Sequence, residues 1–262
     1  MSLPSVLFIP DRFSDYRMWY DIPDRLRGRA EVIHFDQHEQ VPWTADSAEF
    51  VDSARRLAPG GGFHLVAGAG RAARFAFALA EAGLAKGLVF FQPVLDSIPD
   101  DVRVGLSSLD VGLSGLDEAL EAFRPIVSAL QESDPGRRRE ILLQTVRDTA
   151  GPDREPAGVE LELAMMSDHA EEFFAHLRIT AAAADNGPVP PDPQWMERPW
   201  IDRLAELTVP VTAIGVGPFP EAIARRAKDA EIVLAAGNGG MAPPADRARA
   251  VEALLRMLDR IS

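Results

Sequence analysis

The sequence predicts an α/β protein: a mostly parallel sheet flanked by helices, interrupted once by an all-helical insertion. Three observations carry this. Short apolar runs alternate with helical patterns from Val6 to Pro93, and the alternation resumes at Val209. Between about Ser97 and Trp200 the periodicity is helical, with no convincing strand. The apolar runs are continuous, as expected of strands covered on both faces by helices.

In order, Val6-Leu7-Phe8-Ile9 reads as a buried strand, Met18 to Arg27 as a helix, and Glu31 to Phe35 as a second strand. Ala45 to Leu57 has helical spacing and stops at Pro59-Gly60-Gly61-Gly62, because proline and glycine end regular structure. A strand over Phe63 to Val66, a helix over Arg71 to Ala82 and a strand over Gly87 to Phe91 follow. The insertion carries helical patterns at Leu116 to Gln131, Arg137 to Thr149 and Val159 to Ala184, then a Pro-rich link from Gly187 to Pro193. Val209 to Gly215 and Glu231 to Ala235 read as strands, Glu221 to Lys228 and Asp246 to Leu258 as helices. The expected division is a core over 1–96 and 201–262 and a helical cap over 97–200.

Composition removes several function classes. With no cysteine there is no disulfide, thiolate nucleophile or zinc–thiolate site. Met1 to Pro10 lacks the basic stretch of a signal peptide, and no run approaches the ~18 apolar residues of a membrane helix, so a cytoplasmic protein is expected. A net charge of −13 repels phosphate backbones and anionic lipid, so neither nucleic acid nor membrane is an expected partner. The basic cluster Arg137 to Arg139 reads as a solvated helix start. No metal cluster, phosphate loop or dinucleotide fingerprint is present, so no cofactor is expected; Ala67 to Ala72 lacks the first glycine of such a fingerprint.

Six stretches in order resemble the α/β-hydrolase family. Leu7 to Arg12, with Met18-Trp19 following, resembles its first core strand and oxyanion loop; Glu31 to Asp36 resembles the next strand with its terminal Asp. His64 to Gly70 resembles the strand that runs into the nucleophile elbow, and Gly87 to Pro93 the strand before the cap. Leu204 to Gly215 is similar to the return from the cap, and Gly239 to Pro243 to the loop that carries histidine. The resemblance implies a Gly-x-Ser-x-Gly elbow. Read over Ala67 to Arg71, that elbow puts Ala69 at the nucleophile position, where a methyl group cannot attack a carbonyl. Gly240 stands at the histidine position and Val216 to Pro220 holds no acid; Asp96, at the alternative acid position beside Gln92, has no histidine to orient. Pro10-Asp11 replaces the oxyanion His-Gly, and a carboxylate there opposes a developing oxyanion. Losing triad members costs several orders of magnitude in rate, so efficient triad hydrolysis is not expected.

Asp11 and Arg12 follow the first core strand, at the sheet edge where ligands bind in open α/β folds; a surface turn is the plainer alternative. His169 and His176 are seven apart on one helical face, interleaved with Met165, Met166 and Phe173. That face either packs the cap on itself or hangs His169 over a pocket as an acid or base. His34 and His64, in or beside strands, read as structural, and His38 as a surface residue. Ala69, Gly70, Met165, Trp195, Asn238 and Met241 are candidate pocket wall, while Trp200 either lines it or anchors the cap's return. These readings lead to a non-hydrolytic lyase or cyclase for an apolar, polyketide-like substrate, with Asp11 and His169 as its titratable groups. A composition rich in Ala, Arg, Gly and Pro is similar to that of GC-rich bacteria, where such proteins often serve secondary metabolism. A non-catalytic ligand carrier or scaffold is the alternative, residual hydrolysis at a relocated site a third reading, and a homodimer is left open.

Overall fold

The computed structural model describes residues 3–11, 14–36, 47–93, 124–149, 156–175, 178, 199–216, 218–235 and 244–261. The chain divides into two compact units, Met1–Ile98 with Asp192–Ser262 and Pro99–Pro191.

In the first unit the described strands form one parallel sheet: β1 Ser5–Ile9, β2 Glu31–His34, β3 Leu65–Ala69, β4 Leu88–Phe91, β5 Val211–Gly215 and β6 Ala230–Leu234. Their order is β2-β1-β3-β4-β5-β6. β1, β3, β4 and β5 are buried throughout, which is why each reads as an unbroken apolar run; the edge strands β2 and β6 are partly exposed. The chain steps outward from β1 to β2, then returns past β1 to β3. The order therefore switches between β1 and β3, and the loops after those two strands flank the crevice where ligands bind in open α/β sheets.

One face is covered by α1 Ile22–Leu26 and the C-terminal α8 Pro244–Ile261. Leu254, Met257 and Leu258 join Val6, Phe8, Leu65, Ala67, Val89 and Phe91 in one apolar cluster. Two further helices, α2 Ser47–Leu57 and α3 Ala73–Glu81, pack together through Phe50 and Phe75, whose rings stack at 4.3 Å. Phe50, Ser53 and Ala54 fall on one stripe of α2, the spacing that lets a single helical face be buried. The unit is completed by α6 Trp200–Arg203 and α7 Pro218–Arg226. Trp200 is buried against Phe77 and Phe90, with centroids 5.9 and 5.4 Å away, so it anchors α6 to the core.

Several boundaries shift by two or three residues from the sequence reading, and three differences matter most. Met18 to Arg27 is not one helix: a 3-10 turn over Tyr16–Trp19 is separated from α1 by Tyr20, at φ 50°. Pro23 lacks an N–H and fits only a first helical turn, so α1 starts beside it. The strand expected at Phe63 to Val66 runs instead over Leu65–Ala69, Phe63 making an isolated bridge to Ala85. Val159 to Ala184 differs in that the helix starts at Pro156 and breaks at His169; helix resumes over 170–175, and most of the residues beyond lie outside the described ones.

In the second unit, α4 Pro135–Thr149 and α5 Pro156–Asp168 pack on each other. Ile126, Ala129, Leu142, Ala170 and Phe174 form its apolar cluster. Arg138 is not the solvated residue read from the sequence. It is buried, its guanidinium donating to Glu132 O at 2.9 Å and pairing with Glu171 at 2.7 Å. A long side chain can cover apolar surface with its stem while its head finds acceptors, and here the head ties the start of α4 to the helical turns after α5.

Candidate functional site

The site is built where β3 turns into α3. Gly68 comes first: a Cβ there would lie 2.8 Å from Ala72 O and 3.0 Å from Ala76 Cβ, so helix and strand approach too closely for any side chain. Ala69 remains extended, at φ −98° and ψ 144°. Gly70 takes φ +52°, the left-handed conformation of the apex. The small residues are thus Gly68 and Ala72, two positions either side of Gly70. This corrects the register read from the sequence, which put Ala69 at the apex and Arg71 at a small position. Arg71 instead follows the apex and is exposed.

Asp11, on the loop after β1, meets this apex. Its Oδ1 accepts the Arg71 backbone N–H at 2.9 Å. A Cβ on Gly70 would overlap the Asp11 carboxylate carbon and both its oxygens, so the carboxylate fills the space of the missing side chain. Its own backbone is held as well, the N–H donating to Met18 Sδ at 3.1 Å and the carbonyl accepting from Ser14 N–H at 3.1 Å. Asp11 is half-buried. Ala69 belongs to an apolar cluster with Phe8, Trp19 and Phe91, and Trp19 meets Phe8 and Phe91 edge-on at 4.9 and 4.8 Å. The arrangement holds a carboxylate at the carboxyl edge of the sheet, seated on a backbone amide.

Gln92 follows β4 directly, one strand over from the apex. The register sets Ala69 beside Phe91, so Gly70 and Gln92 leave adjacent strand ends. Gln92 adopts φ 43°, which is rare and costly for a residue with a side chain. Its Nε2 is buried with no hydrogen-bond partner among the described residues. In the sequence Gln92 is only the residue beside the alternative acid; nothing in its neighbours announces a left-handed backbone.

The remaining candidates are dispersed. His169 and Met165 belong to the second unit; Met165 is buried, and His169 Nδ1 lies 3.5 Å from Glu172 Oε2 one turn on. Phe173 packs against that unit's own cluster. Arg12, His38, Asp96, His176, Trp195, Asn238 and Met241 lie outside the described residues. His64 takes the structural role expected of it: its Nδ1 accepts Ser5 N–H at 3.1 Å, tying β1 to the chain entering β3, and burial lowers its pKa. His34, on the edge strand between Phe8 and Tyr16, also has its pKa lowered, chiefly by burial.

A cavity of about 50 Å³ lies beside the Asp11 loop, lined by Pro10, Asp15, Tyr16, His34 and Asp36. A larger one of about 340 Å³ opens at the opposite, N-terminal edge of the sheet, between Glu31, His64, Lys86 and the Gly60–Gly62 turn. Among the described residues no cluster of His, Asp and Glu could hold a metal ion, and no helix is long and apolar enough to cross a membrane.

No protein-family model and no curated protein sequence matches the chain. Solved structures do. The haloalkane dehalogenase DatA from Agrobacterium tumefaciens C58 superposes with a TM-score of 0.62 at 15% identity, over 100% of this chain and 91% of that one. MenH from S. aureus gives 0.61 at 12% identity, covering 100% and 95% of the two chains, and the epoxide hydrolase CorEH 0.61 at 14%, covering 100% and 93%. Together with the parallel sheet and its strand order, these likenesses give the chain the α/β-hydrolase fold.

Proposed function

We propose that the chain is a non-hydrolytic protein of this fold, a cofactor-free lyase or cyclase acting on an apolar, polyketide-like small molecule. The observation that supports it is the Asp11 carboxylate seated at the Gly70 apex on the Arg71 N–H. Acyl-transfer hydrolysis at an elbow needs a nucleophile at the apex and an amide donor aimed at the developing oxyanion. Here the apex has no side chain, and the amide that follows it already serves a carboxylate. Negative charge developing on a substrate oxygen beside Asp11 would be opposed rather than stabilised. Asp11 is instead suited to proton transfer at the carboxyl edge of the sheet, and His169, in the second unit, is a separate candidate for an acid or base role.

The alternative, a non-catalytic ligand carrier or scaffold, draws on the same contacts. A carboxylate that caps Arg71 N–H, on a loop held by Met18, also suits a purely structural brace.

Two measurements test these readings. Activated esters should be turned over no faster than in buffer, and a serine-directed fluorophosphonate should leave no adduct; a stoichiometric adduct on any serine overturns the non-hydrolytic reading. With a substrate in hand, Asp11→Asn or His169→Ala should lower kcat by about 10²–10⁴-fold, roughly 3–5 kcal/mol of barrier, at nearly unchanged affinity. Turnover within threefold of wild type for both variants removes them from the chemistry and favours the binding protein.

A further inference from the structure

The geometry points to Gln92 as a substrate-binding donor that works with Asp11, and to a neutral carbonyl compound with an acidic α-C–H as the substrate class. This rests on the reading of Asp11 as the base of a non-hydrolytic site.

Two independent features single out Gln92. Its backbone is held at φ 43°, where glycine would be favoured, and its buried Nε2 makes no hydrogen bond to a described residue. Each costs stability, and both fall at the carboxyl edge of the sheet, one strand beyond the switch between β1 and β3. Gly215 at the end of β5 leaves room for this conformation: a Cβ there would come 3.3 Å from Gln92 Cα. A strained residue with an unsatisfied donor, at the strand end next to the Gly70 apex that the Asp11 carboxylate fills, has the composition of a site that removes a proton and holds the resulting charge. Asp11 is an acceptor and Gln92 Nε2 a donor, so the pair matches a substrate with an acidic hydrogen and a carbonyl oxygen.

The step balances without a co-reactant. The α-C–H bond breaks and its proton passes to the Asp11 carboxylate. The electron pair forms the C=C bond of an enolate, whose oxygen accepts the Gln92 Nε2–H. The enolate then expels a β-leaving group, as a lyase does, or attacks a second carbonyl of the same molecule, as a cyclase does; the Asp11 proton goes to the leaving group or to the new alkoxide.

The test uses the full chain and a neutral aromatic probe, 5-nitrobenzisoxazole, in which loss of the ring C–H proton breaks the N–O bond and leaves a coloured phenolate. Wild-type protein should convert it at least about 10²-fold faster than an equal concentration of acetate, and Asp11→Asn should fall to the acetate rate. Gln92→Gly should lower turnover about tenfold or more while raising Tm by about 2–4 °C, because it removes the donor and relieves the backbone. A stability gain joined to an activity loss is not what a structural glutamine produces. Wild-type turnover no faster than acetate, a Gln92→Gly rate equal to wild type, or a lowered Tm in that variant each overturns the inference. Ester turnover or a fluorophosphonate adduct would instead sink the non-hydrolytic reading beneath it.

Discussion

The Asp11 carboxylate occupies the place of a side chain on Gly70, two residues 59 positions apart in the chain and brought together because β1 and β3 are neighbours. No residue but glycine fits at this apex while Asp11 stays where it is. The left-handed backbone of Gly70 adds a second reason, since a Cβ is strained at φ +52° whatever the space around it.

Gly70→Ala is therefore expected to push Asp11 off the Arg71 amide and to destabilise the protein by about 1–3 kcal/mol. Hydrogen exchange at the Arg71 amide should speed up together with the fall in Tm. Unchanged protection of that amide would show that the carboxylate is not seated there in solution.

Restoring a hydroxyl should not restore hydrolysis. On the non-hydrolytic reading proposed above, Gly70→Ser supplies the apex with an oxygen but no histidine to take its proton, since residues 237–241, which resemble the family's histidine segment, include none. Ester turnover by this variant is expected to stay at the buffer rate, and a fluorophosphonate adduct on the introduced serine would contradict that.

Acidification should destabilise the fold through His34 and His64. Burial lowers both pKa values below the ordinary 6.5, so between that value and the lower folded one the unfolded chain binds more protons than the native. Stability is fully present above pH 6.5 and is lost as pH falls through the folded pKa values. For His64 a proton on Nδ1 also ends its acceptance of Ser5 N–H. The urea midpoint is expected to drop between pH 7.5 and 5, and the drop should be smaller in His64→Gln. An identical drop in that variant would free His64 from this role.

Trp200→Ala should cost about 3–5 kcal/mol, because a fully buried indole packed on Phe77 and Phe90 leaves a cavity its neighbours cannot fill. Chemical denaturation followed at two wavelengths checks this. A loss under 1 kcal/mol would mean that Trp200 is exposed to a ligand surface rather than buried in the core.

The sequence alone carried the alternation of strands and helices, because each buried strand must be apolar on both faces and each covering helix must show a stripe. It carried the candidacy of Asp11 too, since a carboxylate after a first core strand falls at the ligand edge of a parallel sheet. The register of the apex was not legible: Ala67-Gly68-Ala69-Gly70 is a run of small residues, and several settings of a small-residue pattern fit it equally. Only the approach of α3 to β3 decided that Gly68 is the packing glycine and Gly70 the left-handed one. Gln92 was legible only as a residue standing with Asp96 at the alternative acid position, because a positive φ is imposed on a residue by the strands around it. The seating of Asp11 on Arg71 was likewise decided by tertiary structure, since a contact between loops 60 residues apart exists only once β1 and β3 pair.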